Sequence, residues 1–171
     1  MVAATPLVSI DLVVENAAGE ILLGERRNRP ARGFWFVPGG RVLKNETLDA
    51  AFRRLTAAEL GQGFERGEAV WLEVFEHFYC DSVFGEADAA DPCGAPDTHY
   101  VVLAYRLRVA ESVVLNPPAA QHGRYRWWRP AEMRESGVVH GNARAYVMGR
   151  AEASCPMLGP HLNVGQDIQM G

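Results

Sequence analysis

A glycine pair, Gly39-Gly40, stands between the aromatic and apolar stretch 33–38 and a segment with helical periodicity, 47–60. Glycine lets a backbone come close to a ligand or metal, and its carbonyls can serve as hard oxygen ligands. The helix behind the pair adds Arg54 and Glu59. At about 100° per residue, positions 55, 58 and 59 fall on one side of that helix. Of Leu55, Ala58 and Glu59, only Glu59 is acidic. Lys44 is the only lysine, so nearly all positive charge is arginine, whose planar fork suits bidentate phosphate contacts.

These groups need a scaffold. Residues 7–14 alternate and are β-branched enough for a strand, 16–19 are turn material, and 20–26 resume an extended pattern, which reads as an opening hairpin. For the helix, Thr47 is the expected N-cap, Asp49 complements the dipole, and Gly61 is placed to stop it. Leu48, Ala51, Phe52 and Leu55 supply one apolar face. Further strands are expected at 69–79, 100–109 and 125–129, and helices at 130–134 and 142–151. This order argues an α/β fold with a mixed sheet and helices on its faces. Residues 81–97, rich in Gly, Ala, Pro and Asp, read as a surface loop, and 154–171 as an extended or disordered tail following a single domain over 1–153.

Composition narrows the function classes. A chain of 171 residues, 48% hydrophobic and 22% charged, is expected to be a soluble globular domain. Its net charge of −4 offers no basic excess for a nucleic-acid backbone. No apolar run approaches the roughly 20 residues that span a bilayer, and no charged start precedes an apolar stretch, so a cytoplasmic protein without membrane partners is expected. Cys80, Cys93 and Cys155 are odd in number and lack a CxxC pair, as reduced cysteines would be.

The run Gly40-x5-Glu46-x7-Arg54, followed by Glu59 and Gly61, resembles the Nudix hydrolase signature, G-x5-E-x7-R-E-U-x-E-E-x-G-U. It departs from it where Leu55 and Ala58 replace two of the expected metal-binding glutamates. The stretch GFWFVPGGRVLKNETLDAAFRRLTAAELG, with TPLVSIDLVVEN, RRNRPARGFWFVPGG, HFYCD, THYVVLAYRLRV, QHGRYRW and NARAYV, is similar instead to the GDP-mannose mannosyl hydrolase subfamily, over most of residues 5–150.

That resemblance implies a Nudix-type α/β/α sandwich and a hydrolase that releases GDP and free hexose from GDP-mannose, or GDP-glucose, by water attack at the anomeric carbon with inversion. It implies Mg²⁺, with Mn²⁺ as the alternative, held by the Gly39 carbonyl, the Glu59 carboxylate and the Gln121 side-chain oxygen together with substrate phosphate and water. By the same match His122 is the general base, and an imidazole titrates near working pH. Arg26 and Arg41 are candidates to clamp the β-phosphate, Tyr100 to donate to the leaving diphosphate, and Asp11 to bind a sugar hydroxyl. Glu46 and Arg54 are assigned to holding the glycine loop against the helix. A homodimer is implied as well. His77, His99, His140 and His161 are given no part in the chemistry. Two other readings stay open: a conventional Nudix pyrophosphatase attacking phosphorus, which Leu55 and Ala58 argue against, and a non-catalytic module that binds a nucleotide sugar.

Overall fold

The computed structural model describes residues 5–79, 98–118 and 122–148. The expected loop 81–97, the tail 154–171, the three cysteines and Gln121 lie outside them. Strands β1 (Leu7–Glu15), β2 (Ile21–Arg26), β3 (Trp35–Phe36), β4 (Gly39–Arg41), β5 (Val70–Tyr79), β6 (Thr98–Arg108) and β7 (His122–Trp128) form one mixed sheet. Its main path runs β3-β2-β1-β6-β5, with β4 paired to β1 and β7 to β2. β1 and β6 are parallel along their length, from Leu7 opposite Tyr100 to Glu15 opposite Arg108.

Helix α1 (Leu48–Leu60) starts where the capping chemistry places it: Thr47 Oγ1 accepts from the Ala50 amide at 3.2 Å. It ends at Gly61, whose φ of 76° is the left-handed conformation that glycine adopts without penalty. Helices α2 (Pro130–Glu135) and α3 (Gly141–Ala145) close the chain order.

Period-two alternation on β1 divides the core into two layers. Ile10, Leu12 and Val14 pack with Phe52, Leu55 and Leu60 of α1. Val13 packs with Leu23, Met133, Ala143 and Tyr146, where α2 and α3 dock. Helices therefore cover both faces, and the architecture is the expected α/β/α sandwich.

Three expectations need correction. The opening hairpin closes only beside its turn, where Glu15 faces Ile21. Beyond that point the strands part, because β4 takes the edge of β1 at Ser9, Ile10 and Asp11 while β2 pairs with β7. The glycine pair is itself strand β4 and not a break: a Cβ on Gly39 would lie 2.5 Å from the Ile10 carbonyl oxygen, so only glycine lets the strand sit this close. Finally, β7 begins at His122 and not at Tyr125, and α3 spans Gly141–Ala145, capped by His140, whose Nδ1 accepts from the Asn142 amide at 3.2 Å.

Candidate active site

Where β1 and β2 part, a cleft of about 440 Å³ opens, with Asp11, Arg26, Gly39, Arg41, His77 and Tyr100 in its wall. Asp11 sits on the β1 face that looks toward α3, 7% exposed, and Tyr146 donates to its Oδ2 at 2.6 Å. Burial pushes the Asp11 carboxyl up to about 6, opposed by that hydrogen bond and by the charge of Arg26. Burial also raises the Tyr100 phenol, with Arg41 and Arg26 pulling it back.

Glu59 and His122 form a second cluster, outside the lining of that cleft. They are 3% and 1% exposed, and His122 Nδ1 lies 3.8 Å from Glu59 Oε2. The contact is not an ion pair. Burial pushes Glu59 up to about 7 and His122 down to about 4, so each group is driven toward its neutral form, and 3.8 Å is too long for a hydrogen bond.

Tyr125 holds the imidazole through one ring nitrogen. Tyr125 Oη lies 3.0 Å from His122 Nδ1 and 3.4 Å from the Pro118 carbonyl. The 3.0 Å contact is made either with the phenol donating to Nδ1 or with Nδ1–H donating to the phenol oxygen, so the geometry admits both imidazole tautomers. Nε2 is buried and without a hydrogen-bond partner among the described residues.

Arg26 joins the two clusters electrostatically. Its charge acts on Asp11 and Tyr100 in the cleft and on Glu59 and His122 behind it. Its own Nε is tied to the Pro30 carbonyl at 2.7 Å, which holds the guanidinium in place. Arg26 also faces His122 across the β2–β7 pairing.

Glu46 and Arg54 meet fork to fork: Arg54 Nε donates to Oε1 at 2.7 Å and Nη2 to Oε2 at 2.8 Å. Arg54 Nη2 further donates to the Arg41 carbonyl at 2.9 Å, and Glu46 Oε2 accepts from the Leu43 amide at 3.0 Å. This latch ties α1 to the end of β4. The pairing holds the Glu46 carboxyl down at about 2.

The donor set decides what cation the site could hold. Leu55 is buried and its side chain closes on Gly40, where a Cβ would lie 2.7 Å from Leu55 Cδ2, while Ala58 is exposed. Neither supplies an oxygen. Among the described residues no group of three His, Cys, Asp or Glu side chains is placed to hold a metal. A protein-only cage is therefore a poor fit. A hard octahedral cation that draws most ligands from phosphate and water fits a site with one buried carboxylate, Glu59. A positive ion there would also keep Glu59 ionised against its burial.

Sequence reasoning passed over His77 and Tyr146. His77 is 3% exposed, lines the cleft, and its Nε2 lies 3.4 Å from the Tyr146 hydroxyl. Burial drives its pKa down to about 3, so it is a neutral imidazole. The alternation of Phe75, His77 and Tyr79 along β5 is the signal that would have turned it inward; nothing local to Tyr146 points to Asp11.

The NUDIX domain profile matches residues 5–147. The chain belongs to the Nudix family. It is 45% identical over 107 residues to the low-salt glycan biosynthesis protein Agl8 of Haloferax volcanii, a match covering 63% of this chain and 62% of that protein. Among solved structures, the MutT Nudix hydrolase of Burkholderia pseudomallei superposes with a TM-score of 0.61 at 24% identity, covering 84% of this chain and 96% of the other. The MutT protein of Methanosarcina mazei gives 0.60 at 17% identity, over 84% and 92%. The Nudix domain of Shewanella oneidensis NrtR, solved with ADP-ribose, gives 0.56 at 18%, over 79% and 80%. At these identities the structural likenesses establish the fold. No helix among the described residues is long and apolar enough to cross a membrane.

Proposed function

We propose that this Nudix hydrolase splits a GDP-hexose, GDP-mannose or GDP-glucose, into GDP and free sugar by water attack at the anomeric carbon with inversion. The observation that carries this reading is His122: a neutral, buried imidazole held at Nδ1 by Tyr125 and 3.8 Å from Glu59 through that same nitrogen, with Nε2 left without a hydrogen-bond partner among the described residues. Water's oxygen bonds to the anomeric carbon, the carbon–oxygen bond to the diphosphate breaks, and the water proton passes to Nε2. Arg26 and Arg41 offer guanidinium charge to the departing diphosphate, and Tyr100 offers a hydroxyl proton. Asp11, in the same cleft, accepts from a sugar hydroxyl and stabilises positive charge at the reacting carbon. Mg²⁺, held by Glu59, the Gly39 carbonyl and Gln121, would make the diphosphate a better leaving group.

Two further facts favour attack at carbon. Leu55 and Ala58 leave no carboxylate where a conventional Nudix site collects its metals. The name of the Haloferax relative links it to glycan assembly, where activated sugars are the working substrates. A homodimer belongs to the same reading, and sedimentation velocity tests it.

Product analysis decides the reaction. The protein is incubated with GDP-α-mannose and Mg²⁺ in ¹⁸O-water, followed by ³¹P NMR, and the label is located by mass spectrometry. GDP with label on the sugar is expected. GMP with label on phosphorus would make the protein a pyrophosphatase, and tight binding without turnover would make it a nucleotide-sugar-binding module.

A further inference from the structure

Gly24 lies inside β2, opposite Tyr125 of β7 and Phe36 of β3. Its φ is outside the left-handed region, so the main chain there does not ask for glycine. A glycine within a strand costs stability and leaves packing unfilled. What the residue supplies is space. A Cβ at position 24 would lie 2.5 Å from both Cγ and Cδ2 of His122 and 2.9 Å from its Cβ. No real carbon pair sits that close. The clash falls on the ring's root, and not on the end of a flexible side chain that could swing aside.

The imidazole has nowhere to retreat. It is 1% exposed, its Nδ1 is hydrogen-bonded to Tyr125 at 3.0 Å, and Glu59 lies 3.8 Å from the same nitrogen. Beside Gly24 the β2–β7 register slips, so that Gly24 faces Tyr125 while Arg26 faces His122. The two residues that define the ring's setting are thus placed by the same irregularity in the pairing.

We infer that Gly24 is a positioning residue for His122: the missing side chain is the seat of the imidazole, and a methyl group there pushes the ring off Tyr125 and moves Nε2. Its consequence for turnover rests on the proposal that His122 is the base; the seat itself does not.

The test compares Gly24→Ala, His122→Ala and the double variant by kcat and KM with GDP-mannose, by Tm, and by the His122 Cε1–Hε1 resonance in histidine-labelled protein. Gly24→Ala is expected to move that resonance and lower kcat by about 10²-fold or more with KM nearly unchanged, the range a general base contributes. In the double variant the methyl occupies vacated space, so Tm and kcat should match those of His122→Ala. Should Gly24→Ala cost the same Tm and the same factor in kcat with and without the imidazole, glycine would serve general packing and the inference would fall. If Gly24→Ala does not fold, a folded double variant supports the seat and an unfolded one overturns it. Full activity in His122→Ala would instead sink the base assignment, leaving the resonance and the Tm comparison to judge Gly24.

Discussion

Tyr146 donates to Asp11 Oδ2 at 2.6 Å across 135 positions of sequence, so the residue capping the C-terminal end of the last described helix reaches back to fix a carboxylate on the first strand. The same hydroxyl lies 3.4 Å from His77 Nε2, which places it between the two groups. Replacing Tyr146 by Phe removes the bond and keeps the ring against Phe75. Stability should fall by about 1–3 kcal/mol, the usual cost of orphaning a buried acceptor, read from denaturant unfolding. Because the hydrogen bond lowers the Asp11 pKa, its loss should move that carboxyl above its present value of about 6 and carry the acid limb of the kcat/KM profile upward. An unmoved limb would separate Asp11 from catalysis.

Glu59 is raised to about 7 by burial, so a cation and a proton compete for it. Mg²⁺ affinity, measured by titrating activity or heat, should weaken as the pH falls below 7, approaching tenfold per unit. EDTA should abolish turnover and fresh Mg²⁺ restore it. Glu59→Gln should remove metal-dependent turnover while leaving the circular dichroism spectrum intact; retained activity would contradict its assignment as a ligand.

Stability should depend on pH through the two buried histidines. Burial lowers His77 from 6.5 to about 3 and His122 from 6.5 to about 4. Below pH 6.5 the unfolded chain binds protons that the folded chain refuses, so the stabilisation is complete above 6.5 and is lost as the pH falls toward those folded values. Each group contributes a slope of about 1.4 kcal/mol per pH unit within its window. The raised carboxyls of Asp11 and Glu59 take up protons on folding over the same range and oppose this loss. Urea unfolding at pH 7, 6 and 5 therefore isolates the His77 contribution as the difference between the protein and His77→Phe, a difference that should move in favour of the variant as the pH falls.

The Glu46–Arg54 latch acts on the site through backbone. Arg54→Lys keeps the charge but gives up the fork that reaches Glu46 and the Arg41 carbonyl together. Activity should fall by about 10- to 100-fold, as when a residue supporting a metal ligand is lost, with a small change in Tm for a half-exposed arginine that keeps its charge. A large Tm loss with unchanged specific activity would make the pair a stabilising element only.

The α/β class was legible because its signals are local. Thr47 and Gly61 bound α1 through chemistry confined to a few residues, and the alternation on β1 decides which side chains enter which layer. The spacing of Gly40, Glu46, Arg54 and Glu59 likewise lies within one strand–loop–helix unit, so the sequence alone carried the family resemblance and the missing acids at 55 and 58.

Only tertiary structure decided the rest, since it depends on contacts between distant segments. Nothing local says that the opening hairpin parts after Glu15 and Ile21, that Gly39 pairs closely with Asp11, or that His77 turns inward beside Tyr146. The protonation states were equally hidden. Burial, which no single segment determines, drives Glu59 and His122 toward neutrality and raises Asp11, and the tertiary fold seats the imidazole over a glycine nearly 100 residues away.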